Sequence, residues 1–144
     1  MNEFEIYQIA QLNFINNAIY TLAVVIMTAI CFYLIRRSRE LNFPTYGKAI
    51  ITVFCACTIF FGLQVSSYLV LNQKNMSFQL SELQQNGVEV STVGQSLIET
   101  YGQTVADGPA ALAPDIPAII LWITIAVMFL SGLWGKAPEG AYEK

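Results

Sequence analysis

The chain has 144 residues, of which 55% are hydrophobic and only 12% charged, with a formal net charge of −3. Soluble domains carry about 25% charged residues, so these few charges cannot cover a water-facing surface and much of the chain must face lipid. Histidine is absent, which removes the commonest metal ligand and the usual general base near neutral pH.

The first 13 residues (MNEFEIYQIAQLN) read as an amphipathic, interfacial helix on the external side. Asn2 and Glu5 have the spacing of a capping box, and Glu3 and Glu5 suit the positive end of a helix dipole. Phe4, Ile9 and Leu12 are expected to form its apolar seam, with Tyr7 near the interface. The leader is acidic, and a long apolar run follows it, closed by Arg36-Arg37-Ser38-Arg39. That order predicts a retained first span over 14–35 rather than a cleaved signal. Asn16 and Asn17 sit near its outer end, in reach of headgroups or water.

Residues 36–48 (RRSRELNFPTYGK) carry Arg36, Arg37, Arg39 and Lys48 against Glu40 alone. The positive-inside rule puts this short loop in the cytoplasm. Pro44 and Gly47 mark the turn of an antiparallel hairpin. The four cations fix topology and can also touch anionic lipid.

The second span, 49–71, has no charge and no proline. At about 1.5 Å per residue, a run of this length crosses a hydrocarbon core of roughly 30 Å. Thr52, Cys55, Ala56, Thr58, Gly62, Ser66 and Ser67 share one helix face. Small residues allow close backbone approach in a membrane, so Thr52, Cys55, Ala56, Gly62 and Ser66 are the helix-packing candidates. Gln64 is an intramembrane amide that needs a hydrogen bond, most simply from Tyr68 one turn on or from a neighbouring helix. The three cysteines (Cys31, Cys55, Cys57) all lie in apolar runs. Cys55 and Cys57 point about 200° apart on a helix, so they cannot jointly grip an ion and read as packing residues.

From 72 to 116 the chain leaves the membrane with Lys74 against five acids (Glu82, Glu89, Glu99, Asp107, Asp115). This acidic segment is therefore external, giving an N-out, C-in topology. Ser77 to Gln85 reads as a short helix ending at Asn86-Gly87. Val88-Glu89-Val90-Ser91 fits a brief strand or a loop. Ser91 or Thr92 caps a helix reaching about Val105, and Asp107-Gly108-Pro109 breaks it. Asp115 and Pro117 open the third span, 117–134. Trp122 lies deep in it, Trp134 suits the aromatic belt, and Ser131 with Gly132 offers a second small patch. Residues 135–144 form a cytoplasmic tail.

The expected fold is thus an all-α membrane protein with three transmembrane helices and a small, partly helical external segment between the second and third. It is an integral, multi-pass protein of a bacterial inner membrane or its equivalent. Enzymatic activity is the weakest reading, because the spans offer no titratable group beyond cysteines and tyrosines. No catalytic residue, metal or cofactor is assigned. The expected partners are the lipid bilayer and other membrane subunits or further copies of the chain, with no nucleic acid. The leading role is an accessory or structural subunit of a larger membrane assembly, acting through helix packing and an external docking segment. The alternative is a homo-oligomeric pore or small transport protein. Its span count and orientation are similar to those of small phage holins, although the long external segment departs from their compact layout.

Overall fold

The computed structural model describes residues 2–136. In chain order these form α1 (Glu3–Glu40), α2 (Thr45–Gln85), α3 (Thr92–Tyr101), a 3-10 turn (Val105–Asp107) and α4 (Ile116–Trp134). The protein is all-α, and α1, α2 and α4 are each long and apolar enough to cross a membrane. The tail expected over 135–144 falls, from 137 onward, outside the described residues.

Helices α1 and α2 have 38 and 41 residues, and at 1.5 Å per residue they are about 57 and 62 Å long. A bilayer measures about 40–45 Å even with its headgroups, so both helices extend beyond it. Asn72 accordingly marks a change of composition rather than the end of a helix. The short helix expected from Ser77 is the final part of α2.

The ends of the helices are set by local chemistry. Asn2 and Glu5 close the capping box that opens α1: the Asn2 N–H donates to Glu5 Oε2 and the Glu5 N–H to Asn2 Oδ1, both at 2.9 Å. At the far end of α1, Asn42 takes a left-handed φ of 47°. The Phe43 N–H reaches Ser38 O at 2.9 Å and the Asn42 N–H reaches Arg39 O at 3.2 Å, the paired bonds of a Schellman motif. Gly47, expected in this turn, instead lies inside α2, with the Phe43 ring beside it. A short polar side chain tolerates the left-handed region, so Asn42 can make the turn that a glycine usually makes. Helix α2 ends in the same way at Gly87 (φ 80°), where the Val88 N–H donates to Leu83 O and the Gly87 N–H to Gln84 O.

The chain divides into two compact units, Met1–Tyr20 with Val65–Asp115, and Thr21–Gln64 with the residues from Ile116 on. In the described residues the first holds seven carboxylates and one lysine, and the second holds five cations and one carboxylate. We call them the acidic and the basic unit.

The acidic unit has its own core of Ile6, Ala10, Met76, Leu80, Leu83 and Val90, with Tyr7, Phe14, Leu97, Ile98 and Tyr101 packed around it. The buried stripe of α1 is therefore Ile6, Ala10 and Asn17, not the expected Phe4, Ile9 and Leu12. Phe4 and Leu12 are 67% and 66% exposed. At about 100° per residue Ile6, Ala10 and Asn17 fall within about 40° of one another, whereas Phe4, Ile9 and Leu12 lie about 80° or more from the centre of that stripe. Asn17 continues the stripe and is buried rather than solvated. Residues 88–90 form a loop and not a strand, and α3 stops at Gly102 (φ 65°) rather than near Val105. The Ser77 hydroxyl donates to Gln103 O at 2.8 Å, and Ser81 Oγ accepts from the Val105 N–H at 3.3 Å. Serines on α2 thus hold the chain where it leaves α3.

The basic unit packs Cys31, Ile35, Ile51, Cys55, Phe129 and Leu133 into a second core. Phe32 and Phe129 meet edge to face, with ring centroids 5.0 Å apart.

Candidate functional site

Within the basic unit, one face of α2 receives both α1 and α4. Cys55 and Thr58 are buried on it. The Thr58 hydroxyl donates back to Phe54 O at 3.0 Å and lies 3.4 Å from Cys31 Sγ. A threonine in a span would otherwise leave a hydroxyl in hydrocarbon, and the back-bond satisfies it within its own helix. Gly62 is buried under Trp122: a Cβ at this position would overlap Cζ2, Cη2 and Cε2 of the indole ring. A small residue here thus makes room for one of the two tryptophans of α4. Gly132 plays the lesser version of this part, since a Cβ there would lie 3.0 Å from Ile35 Cγ2.

The other predicted positions are more scattered. Thr52 is half-buried; its hydroxyl donates to Lys48 O at 2.9 Å and accepts from the Trp134 indole N–H at 3.1 Å. Ala56 is exposed. Ser66 is half-buried and belongs to the acidic unit. Gln64 is half-buried and closes the α2 portion of the basic unit, and Tyr68, in the acidic unit, is 43% exposed. Cys57 is exposed while Cys31 and Cys55 are buried, and all three are free thiols.

The basic residues divide by role. Arg36 Nε and Arg37 Nη1 hold the two carboxylate oxygens of Glu40 at 2.9 and 3.2 Å. These hydrogen bonds pull the Glu40 carboxyl below its usual range. Arg39 does something the sequence did not announce: its Nη2 donates to Ser131 O at 2.9 Å and to Gly135 O at 3.0 Å. It therefore sits at the C-terminus of α4, where the helix dipole is negative, and shares Ser131 O with the Gly135 N–H. Lys48 makes no ion pair in the described residues.

A cleft in the basic unit runs between α2 and α4 and encloses about 130 Å³. Thr52, Cys55, Ala56 and Ile59 form one wall, and Ala126, Phe129, Leu130 and Leu133 the other.

In the acidic unit the polar centre is Glu3. Its carboxylate accepts from the Ser91 N–H at 2.9 Å, from the Ser91 hydroxyl, and from the Tyr7 hydroxyl at 2.8 Å. Ser91 is also the N-cap of α3, accepting from the Gly94 N–H at 3.2 Å. Gly94 is buried here, and a Cβ on it would meet Val90, Glu3 Oε1 and the Tyr7 hydroxyl. The hydrogen bonds from the Ser91 hydroxyl and N–H, with a smaller one from Tyr7, hold the Glu3 carboxyl below its ordinary value against a small opposing effect of burial. Burial and the bond to Glu3 push the Tyr7 phenol up. The glutamate assigned to a helix dipole is thus the tie between the start of α1 and the start of α3.

This set of hydrogen bonds ties the start of α1 to the start of α3. Among the described residues no three Cys, Asp or Glu side chains converge where they could hold a metal ion. Comparison with family models, curated proteins and solved structures returns no match to this chain.

Proposed function

We propose that this protein is an accessory or structural subunit of a larger membrane assembly, anchored by three spans and presenting its acidic unit to a partner. The carrying observation is the independent core of the acidic unit around Ile6 and Leu80. A segment that builds its own core offers a fixed surface for docking rather than a loose linker. That surface carries Glu82, Glu89, Glu99 and Asp107, and the exposed apolar side chains of Val88 and Val93. Its mix of carboxylates and exposed apolar side chains suits recognition of a partner. The positive-inside rule orients the Arg36–Lys48 turn to the cytoplasm and the acidic unit to the outside, which makes a bacterial inner membrane or its equivalent the fitting location. A homo-oligomeric pore would need the Thr and Ser face of α2 to meet water, and Thr58 on that face is packed against α1.

The test is purification of the tagged chain in mild detergent through two successive separations, followed by mass spectrometry and native gels. A different chain co-eluting at fixed stoichiometry, and lost when Glu82, Glu89 and Glu99 are changed together to lysine, is the expected result. A ladder of copies of this chain alone, with ion conductance in liposomes, would overturn the reading in favour of the pore.

A further inference from the structure

We infer that the cleft between α2 and α4 is a binding site for one acyl chain of an anionic phospholipid, whose headgroup is held by Lys48. The cleft lies on the membrane-spanning parts of both helices, and the exposed Ala56 and Leu130 on its walls open it to the bilayer. An apolar cavity of roughly 150 Å³ admits a six-carbon ring, so the volume here suits a short stretch of a single hydrocarbon chain. Thr52 supplies the one hydroxyl of the lining, and it is already engaged by Lys48 O and the Trp134 indole.

Charge names the lipid class. Lys48 precedes Thr52 by one helical turn, so the two lie on one side of α2. Its ammonium has no carboxylate partner in the described residues. On the α4 side, the exposed Lys136 follows Trp134 by two residues. The only carboxylate of the described basic unit, Glu40, is taken by Arg36 and Arg37. An unpaired cation at the polar end of an apolar cleft matches a phosphate at the head of a hydrocarbon tail.

The test is native mass spectrometry of the whole chain, delipidated in detergent and reloaded with phosphatidylglycerol or phosphatidylcholine of the same acyl chains. One phosphatidylglycerol per chain is expected, bound about fivefold more tightly than phosphatidylcholine, the factor that one surface lysine supplies. Lys48→Gln should bring the two lipids to near equality while the tail still binds. Ala56→Phe and Ala126→Phe fill the cleft from opposite walls, and each should abolish retention of both lipids with helix content unchanged by circular dichroism. Should either phenylalanine variant lose its helix content, the Lys48→Gln comparison decides alone. Undiminished retention in a folded cleft-filled variant, or an unchanged preference in Lys48→Gln, would overturn the assignment. So would a disulfide-linked dimer through Ala56→Cys that forms in place of lipid binding, since a second copy would then occupy the cleft.

Discussion

The acidic and basic units are built from the same two long helices, yet different physics holds each together. In the acidic unit side chains bond to backbone across helices: Ser77 to Gln103, Ser81 to Val105, and Glu3 to Ser91. Its core is aliphatic and its surface charged, the pattern of a small water-facing domain. In the basic unit polar side chains mostly turn back onto their own helix, as Thr52 does to Lys48 and Thr58 to Phe54. Beside the bonds from Arg39 and Trp134, contact between helices there comes from fitting a large group against a small one, Trp122 against Gly62. Where lipid is the solvent there is no hydrophobic drive between helices, so close fit takes its place. One helix can therefore follow both sets of rules if its sequence changes character along its length.

Core truncation gives the sharpest division between the units. Leu80 is fully buried in the acidic unit, and Leu80→Ala should cost about 2–5 kcal/mol of that unit's stability. Hydrogen exchange should then speed up in α3 while the amides of α4 keep their protection; equal loss in both would show that the units unfold as one. Gly62→Ala strikes the other side. Its added methyl meets the Trp122 ring, an overpacking expected to cost about 1–3 kcal/mol. Thermal melting in detergent should fall, and Trp122→Ala in the same chain should restore part of the loss. The smallest effect is that of pH on the tie to α3. The Glu3 carboxyl is depressed from its ordinary 4.5, so its stabilisation is complete above that pH and is lost as pH falls through the lower folded-state value. Exchange of the α3 amides should quicken on acidification, and Glu3→Gln should remove that dependence; an unchanged acid response in the variant would place the sensitive group elsewhere.

Features written within a few neighbouring residues were legible in the sequence. The Asn2 and Glu5 capping box, the α2 terminus at Asn86-Gly87 and the Ser91 cap each depend on contacts of three to five positions. The three apolar spans were legible because length and lack of charge suffice. What the sequence hid was set across helices. The face of α1 that is buried depends on where Met76 and Leu80 lie, and the apolar residues Phe4, Ile9 and Leu12 fit a stripe of their own equally well. The continuation of α2 past Asn72 was masked because polar residues end a membrane span without ending a helix. Lys74, Gln79 and Glu82 are good helix formers. Arg39 looked like one of four equivalent cations, and only the position of Ser131 and Gly135 distinguishes it.

The contact of Arg39 with the end of α4 has a consequence for biogenesis. Ribosomes deliver the chain from its N-terminus, so the guanidinium is laid down before the last helix exists. The last helix arrives with the negative end of its dipole uncompensated, and Ser131 O and Gly135 O gain a cationic donor only beside the hairpin made first. Insertion and docking of that segment are thereby joined: a nascent third span that strays from its sister helices forgoes the positive charge at the negative end of its dipole.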